Sequence, residues 1–148
     1  MFRRFRGTGL PVLLIKPDRV VRIPLDQAMD RVLGGVPSRA IEPELGVVEF
    51  WTDGGRMINR HATELLSAVL AAAAAGVLDV GEDRRTRLCC LRAHGWDPAI
   101  TGTCLMTGPL VDGAATALPR SFLTWLRRQH PHRVHAATAL RRRGARWT

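Results

Sequence analysis

The hydrophobic pattern is clearest between Gly46 and Leu66, where a strand-like run gives way to a helical stripe. Val47-Val48-Glu49-Phe50-Trp51 is β-branched and aromatic, which predicts a strand. Asp53-Gly54-Gly55 follows as turn chemistry, and Arg56-Met57-Ile58 as a short return segment. Asn59 is a natural N-cap. Behind it Ala62, Leu65, Leu66, Val69 and Leu70 recur at i, i+3, i+4, i+7 and i+8, which predicts a helix to about Ala75, stopped by Gly76.

On either side the pattern is weaker. Pro11 to Lys16 and Arg19 to Ile23 flank Pro17-Asp18 and predict a β-hairpin. Leu25, Met29, Val32 and Leu33 have helical spacing, with Gly34-Gly35 as the stop, and Val36 to Ile41 reads as a further strand. Residues 76–99 carry little periodicity: Gly81-Glu82-Asp83 and Gly95-Trp96-Asp97-Pro98 read as loops, and Leu88 to Arg92 as strand or helix. Ile100 to Thr107 predicts a strand, with turns at Gly108-Pro109 and Asp112-Gly113. A last helix starts at Leu118-Pro119 and sets Phe122, Trp125, Leu126 and Gln129 on one face, with Pro131 ending it. Strands in small groups broken by single helices imply an α+β domain: a mainly antiparallel sheet with two or three helices packed on it.

Charge adds terminal arms to this picture. The chain has 148 residues, 46% hydrophobic, and a formal net charge of +9. Lysine occurs once, at Lys16, against twenty-one arginines, a bias that GC-rich coding alone would produce. Position is more telling than the total. Residues 1–17 hold four basic residues and 113–148 hold eight, with no acid in either, whereas 18–112 have ten basic and thirteen acidic residues. Coding bias would not empty the ends of acids. The expected organisation is a basic arm over 1–9, one domain over 10–130 and a basic tail over 131–148.

The apolar runs Leu10 to Ile15 and Leu65 to Leu78 are too short for a secretory core or a membrane span. Three cysteines, two of them adjacent, make no disulfide framework. The expectation is a cytoplasmic, reduced protein without a membrane partner.

Candidate chemistry is sparse. Cys89, Cys90, His94 and Cys104 are zinc-ligand types without paired spacing, and adjacent cysteines on a strand face opposite ways, so buried, inert thiols are expected. His130, His132 and His135 lie among arginines that repel a cation, so no metal is assigned there. Glu49, Asp53, His61 and Glu64 come from the central unit, but no complete acid–base or nucleophilic set is spelled out, so no catalytic residue is assigned. No glycine run matches a nucleotide fingerprint, and no cofactor is expected. Asp53, Gly54, Gly55, Arg56, Asn59 and Arg60 form the one pocket-like candidate, a turn and helix start able to meet an anion or a partner.

The arms offer phosphate contacts with aromatic neighbours: Arg3, Arg4 and Arg6 beside Phe2 and Phe5, then Arg127, Arg128, Arg141, Arg142, Arg143 and Arg146 beside Trp147. They would grip backbone without reading sequence. A solvated tail, or a docking segment for an acidic protein, uses the same residues.

Several short motifs together resemble a known family. Ile23-Pro24, a short helix, Gly34-Gly35, a strand, Asp53-Gly54-Gly55, Asn59-Arg60-x-Ala62-Thr63, Gly102-Thr103 in a strand closed by Gly108, and a Leu118-Pro119 helix follow in that order. The order resembles the domain-of-unknown-function family DUF-3846 of phage, plasmid and bacterial genomes. It covers residues 12–128 apart from 76–99, which reads as an insertion. The resemblance implies a compact α+β fold and a mobile-element setting, and it supplies no catalytic residue. The expected function is a non-enzymatic accessory binding module whose arms contact nucleic acid or an acidic partner. The alternatives are an effector that sequesters a small anion or blocks a host defence protein through the 53–60 turn, and a small enzyme of unknown reaction.

Overall fold

The computed structural model describes residues 11–16, 20–24, 38–41 and 44–129. The expected helix over 25–35, the Pro17-Asp18 turn, the arm 1–9 and the tail 131–148 lie outside the described residues. Five strands, β1 (Pro11–Ile15), β2 (Val20–Pro24), β3 (Ser38–Arg39), β4 (Glu49–Thr52) and β5 (Cys104–Thr107), form one sheet in the order β2-β1-β5-β4-β3. Every pairing is antiparallel. Among the described residues three helices accompany it: α1 (Arg60–Ala74), α2 (Glu82–Ala93) and α3 (Arg120–Gln129). The α+β architecture read from the sequence is the one observed.

Alternation along the strands divides the sheet into two faces. Leu13 and Ile15 of β1, Phe50 of β4, and Cys104 and Met106 of β5 form one core with Leu65, Leu66 and Val69 of α1 and Phe122 and Leu126 of α3. Val12, Leu14, Trp51, Leu105 and Thr107, the alternate positions, are also buried. β5 is therefore covered on both faces, as a central strand flanked by β1 and β4 should be.

One face holds a polar row. Arg39 Nε lies 3.2 Å from Glu49 Oε2, and its guanidinium sits 5.6 Å from the centre of the Trp51 ring. Trp51 Nε1 donates to Thr107 Oγ1 at 3.0 Å, and that hydroxyl donates to the Gly108 carbonyl at 2.8 Å. Glu49 is 2% exposed and faces Thr107 across the β4–β5 ladder. A carboxylate so buried persists because a guanidinium neutralises it and the indole covers both.

The centre of the fold is Asn59. It is fully buried at the N-cap of α1, and its Oδ1 accepts from Ala62 N at 3.0 Å. Its Nδ2 donates to the carbonyls of Ile15 at 2.7 Å and Gly102 at 2.8 Å. One side chain thus ties the start of the helix to the ends of two strands. The neighbouring turn is fixed by Asp53, whose Oδ1 accepts from Gly55 N at 2.9 Å and Thr103 N at 3.1 Å. Gly102 has φ +77°, and a Cβ there would collide with Asp53 Oδ1 and the Gly55 nitrogen, so the two loops meet only through glycine.

Residues 76–99 contain a 12-residue helix, α2, which includes Leu88 to Arg92, read as strand or helix, and takes in Glu82 and Asp83, read as loop, while 95–98 are loop as expected. Only Leu88 of this helix is buried, so it carries no apolar stripe to read. Polar clamps hold it instead. Arg85 Nε donates to the Ala74 carbonyl at 3.2 Å, satisfying the end of α1, which has no basic residue in its own last turn. The Arg84 side chain lies against Gly46.

The cysteines also differ from expectation. Cys89 and Cys90 are exposed on α2, and only Cys104 is buried. Lying on a weakly packed helix rather than a strand, the adjacent pair stays at the surface. Burial pushes the Cys104 thiol far above its ordinary range. Two of the three thiols should therefore react quickly with a disulfide reagent in the native protein, and the third only on unfolding. The unfolded thiol ionises above about pH 8.5 while the folded one stays protonated, so stability falls as pH rises past that point. The Cys104→Ala variant should lose that alkaline slope, measured by urea unfolding across pH 7–10.

Candidate nucleic-acid interface

Pro119 opens α3, and its carbonyl accepts from Leu123 N at 3.0 Å. One helical rotation then sorts the side chains. Phe122 and Leu126 are buried, and Trp125, half-buried, stacks at a tilt on Phe122 with ring centres 5.5 Å apart. Gln129, expected on that face, is exposed. The opposite side presents Arg120, Thr124, Arg127 and Arg128, at i, i+4, i+7 and i+8, with Ser121 beside them, all exposed. No acid interrupts this face. Arg120 was not among the expected contact residues, although its spacing from Arg127 and Arg128 carries the signal.

The two arginine-rich helices differ in what their cations do. On α2, Arg85 donates to the Ala74 carbonyl and Arg84 lies beside Gly46. On α3, no hydrogen bond or ion pair among the described residues engages Arg120, Arg127 or Arg128. Arg85 thus also serves the fold, whereas the three arginines of α3 face solvent. The remaining expected arm contacts, Arg3, Arg4, Arg6, Arg141, Arg142, Arg143, Arg146 and Trp147, lie outside the described residues, as do His130, His132 and His135.

The turn residues are brought together, but their polar atoms serve the fold. Gly54 N donates to Thr52 Oγ1 at 3.2 Å and Gly55 N to Asp53 Oδ1, so both amides that could cradle an anion already have acceptors. Asn59 occupies the first free helix amide it can reach, that of Ala62. Arg56 and Arg60 are exposed.

Glu49 is on the sheet in its pair with Arg39, Asp53 accepts backbone amides in the turn, and His61 and Glu64 lie three residues apart on α1, so the four candidates are spread over three elements. Cys90 Sγ lies 3.9 Å from His94 Nδ1, but that ring nitrogen is 2.7 Å from the Cys90 carbonyl, and Cys89 Sγ points to the Ala74 carbonyl at 3.6 Å. Among the described residues no three metal-ligating side chains converge. An open cleft of about 220 Å³ between α1 and the loop after α2 is lined by Ser67, Leu70, Arg92, Gly95, Trp96, Asp97 and Pro98. No histidine or cysteine stands beside Ser67 in that lining to activate it.

No family model, curated protein or solved structure matches the chain. Among the described residues, no helix is long and apolar enough to cross a membrane.

Proposed function

We propose that the chain is a non-enzymatic accessory module, of mobile-element type, that grips nucleic-acid backbone without reading sequence. The acid-free arginine face of α3 carries this reading. It begins a basic region that continues in sequence through Arg133, Arg141, Arg142, Arg143 and Arg146.

A guanidinium meets a phosphate through two parallel N–H donors and is weakly hydrated, so it loses little on contact. Each phosphate neutralised releases condensed counterions, which makes affinity depend steeply on salt. Ser121 and Thr124 add hydroxyl donors on the same face. None of these groups is placed by a motif that reads base edges in a groove.

A mobility-shift titration of the full chain at about 50 mM salt tests the reading, because backbone contacts are strongest at low ionic strength. Mixed-sequence duplex and single-stranded DNA should both be retarded, and unrelated sequences should compete equally. Absence of retardation at low salt overturns it.

A further inference from the structure

The loop between β4 and α1 ends in a tip unlike any other part of the described surface. Met57 is 71% exposed and the next residue, Ile58, 67%, whereas the other large exposed apolar residues among those described, Val77 and Val111, stand singly in the sequence. Arg56 and Arg60 flank them, both exposed. The backbone beneath is pinned at every step. Gly102 N donates to the Met57 carbonyl at 2.7 Å, Ile58 bridges to Thr101, and Asn59 N donates to the Ile100 carbonyl at 2.8 Å. With Asp53 and Asn59 holding the turn on either side, the two apolar side chains are held outward on a rigid support. Asp53 spends one carboxylate oxygen on backbone amides of that support.

From this geometry we infer that Met57 and Ile58 form a wedge that enters between stacked bases of a duplex, with Arg56 and Arg60 on the adjoining phosphates. The inference rests on the nucleic-acid reading above and adds a deformation to it. Unbranched or aliphatic side chains at a fixed tip, with cations beside them, are what partial unstacking requires. A protein partner fits less well. A stable protein interface draws on roughly 20–30 residues a side around a cluster of anchors, and this tip offers two apolar side chains. A wedge needs no more than that. Pre-organisation matters for the same reason, because the support loses no freedom when the tip inserts.

The full chain is bound to a duplex carrying 2-aminopurine at successive positions and a donor–acceptor dye pair at its ends, at a salt concentration that saturates binding. Wild type should raise 2-aminopurine emission several-fold and shorten the end-to-end distance. The M57S/I58S double variant should lose both signals while affinity drops by tenfold or less and the salt slope stays the same. Its thermal midpoint should match wild type, since neither side chain is packed. The R56Q/R60Q variant should keep the fold and reduce the slope. A saturated wild-type complex with unperturbed stacking and a straight duplex overturns the wedge, leaves the backbone-binding reading standing, and assigns the tip to a protein partner. No duplex binding at all overturns both.

Discussion

Replacing Asn59 by alanine should destabilise the fold by about 4 kcal/mol, the loss of an N-cap plus two buried hydrogen bonds to carbonyls. Ile15 O and Gly102 O have Asn59 Nδ2 as their side-chain donor; Ile15 closes β1, Gly102 lies two residues before β5, and both residues are buried. For a chain of this size that is a fall in melting temperature on the order of 10 °C. Two further substitutions separate the roles. Serine keeps an oxygen able to cap Ala62 N but cannot reach across to two strands, so Asn59→Ser should recover only the smaller, capping share of about 1 kcal/mol. Aspartate keeps the cap acceptor but turns acceptor oxygens, and a buried charge, toward two carbonyls, so Asn59→Asp should be no better than alanine. If serine restores nearly everything, the bridge between strands contributes little and the assignment of Asn59 as the centre of the fold is wrong.

The largest functional effect is expected from the basic tail. Converting Arg133, Arg141, Arg142, Arg143 and Arg146 to glutamine should weaken duplex binding on the order of 10³-fold at about 0.1 M salt, because each phosphate contact contributes about 0.9 to the slope of log affinity against log salt. The unfolding midpoint of the variant is measured alongside, so that a loss of binding is compared at equal stability. The same protein should bind all duplex sequences with equally reduced affinity, since backbone contacts carry no base preference. A variant that binds as tightly as wild type would remove the tail from the interface.

Much of this fold was legible because local chemistry and burial agree in the central unit. The stripe from Ala62 to Leu70 is buried as its spacing implies, Asn59 caps the helix, and Asp53-Gly54-Gly55 turns the chain. Asp112 and Gly113, both at positive φ between the bridged Val111 and Ala114, are likewise a turn that sequence alone indicates. What was hidden is held by distant partners. α2 is a helix kept in place by arginine contacts and one leucine, so no periodicity announces it. The two exposed cysteines follow from that same loose packing. The Arg39–Glu49 pair joins β3 to β4, and nothing local marks Glu49 as buried. At the proposed interface, the acid-free charge run points to α3, and the structure adds that Arg85 of α2 is bonded to the Ala74 carbonyl while the arginines of α3 face solvent.

The most direct measurement compares the salt dependence of duplex binding for wild type and for the R120Q/R127Q/R128Q triple variant. If α3 lies against phosphates, the slope should fall by up to about 2.7, three contacts at about 0.9 each, while the unfolding midpoint stays within a degree or two. Equal slopes for the two proteins would contradict the interface.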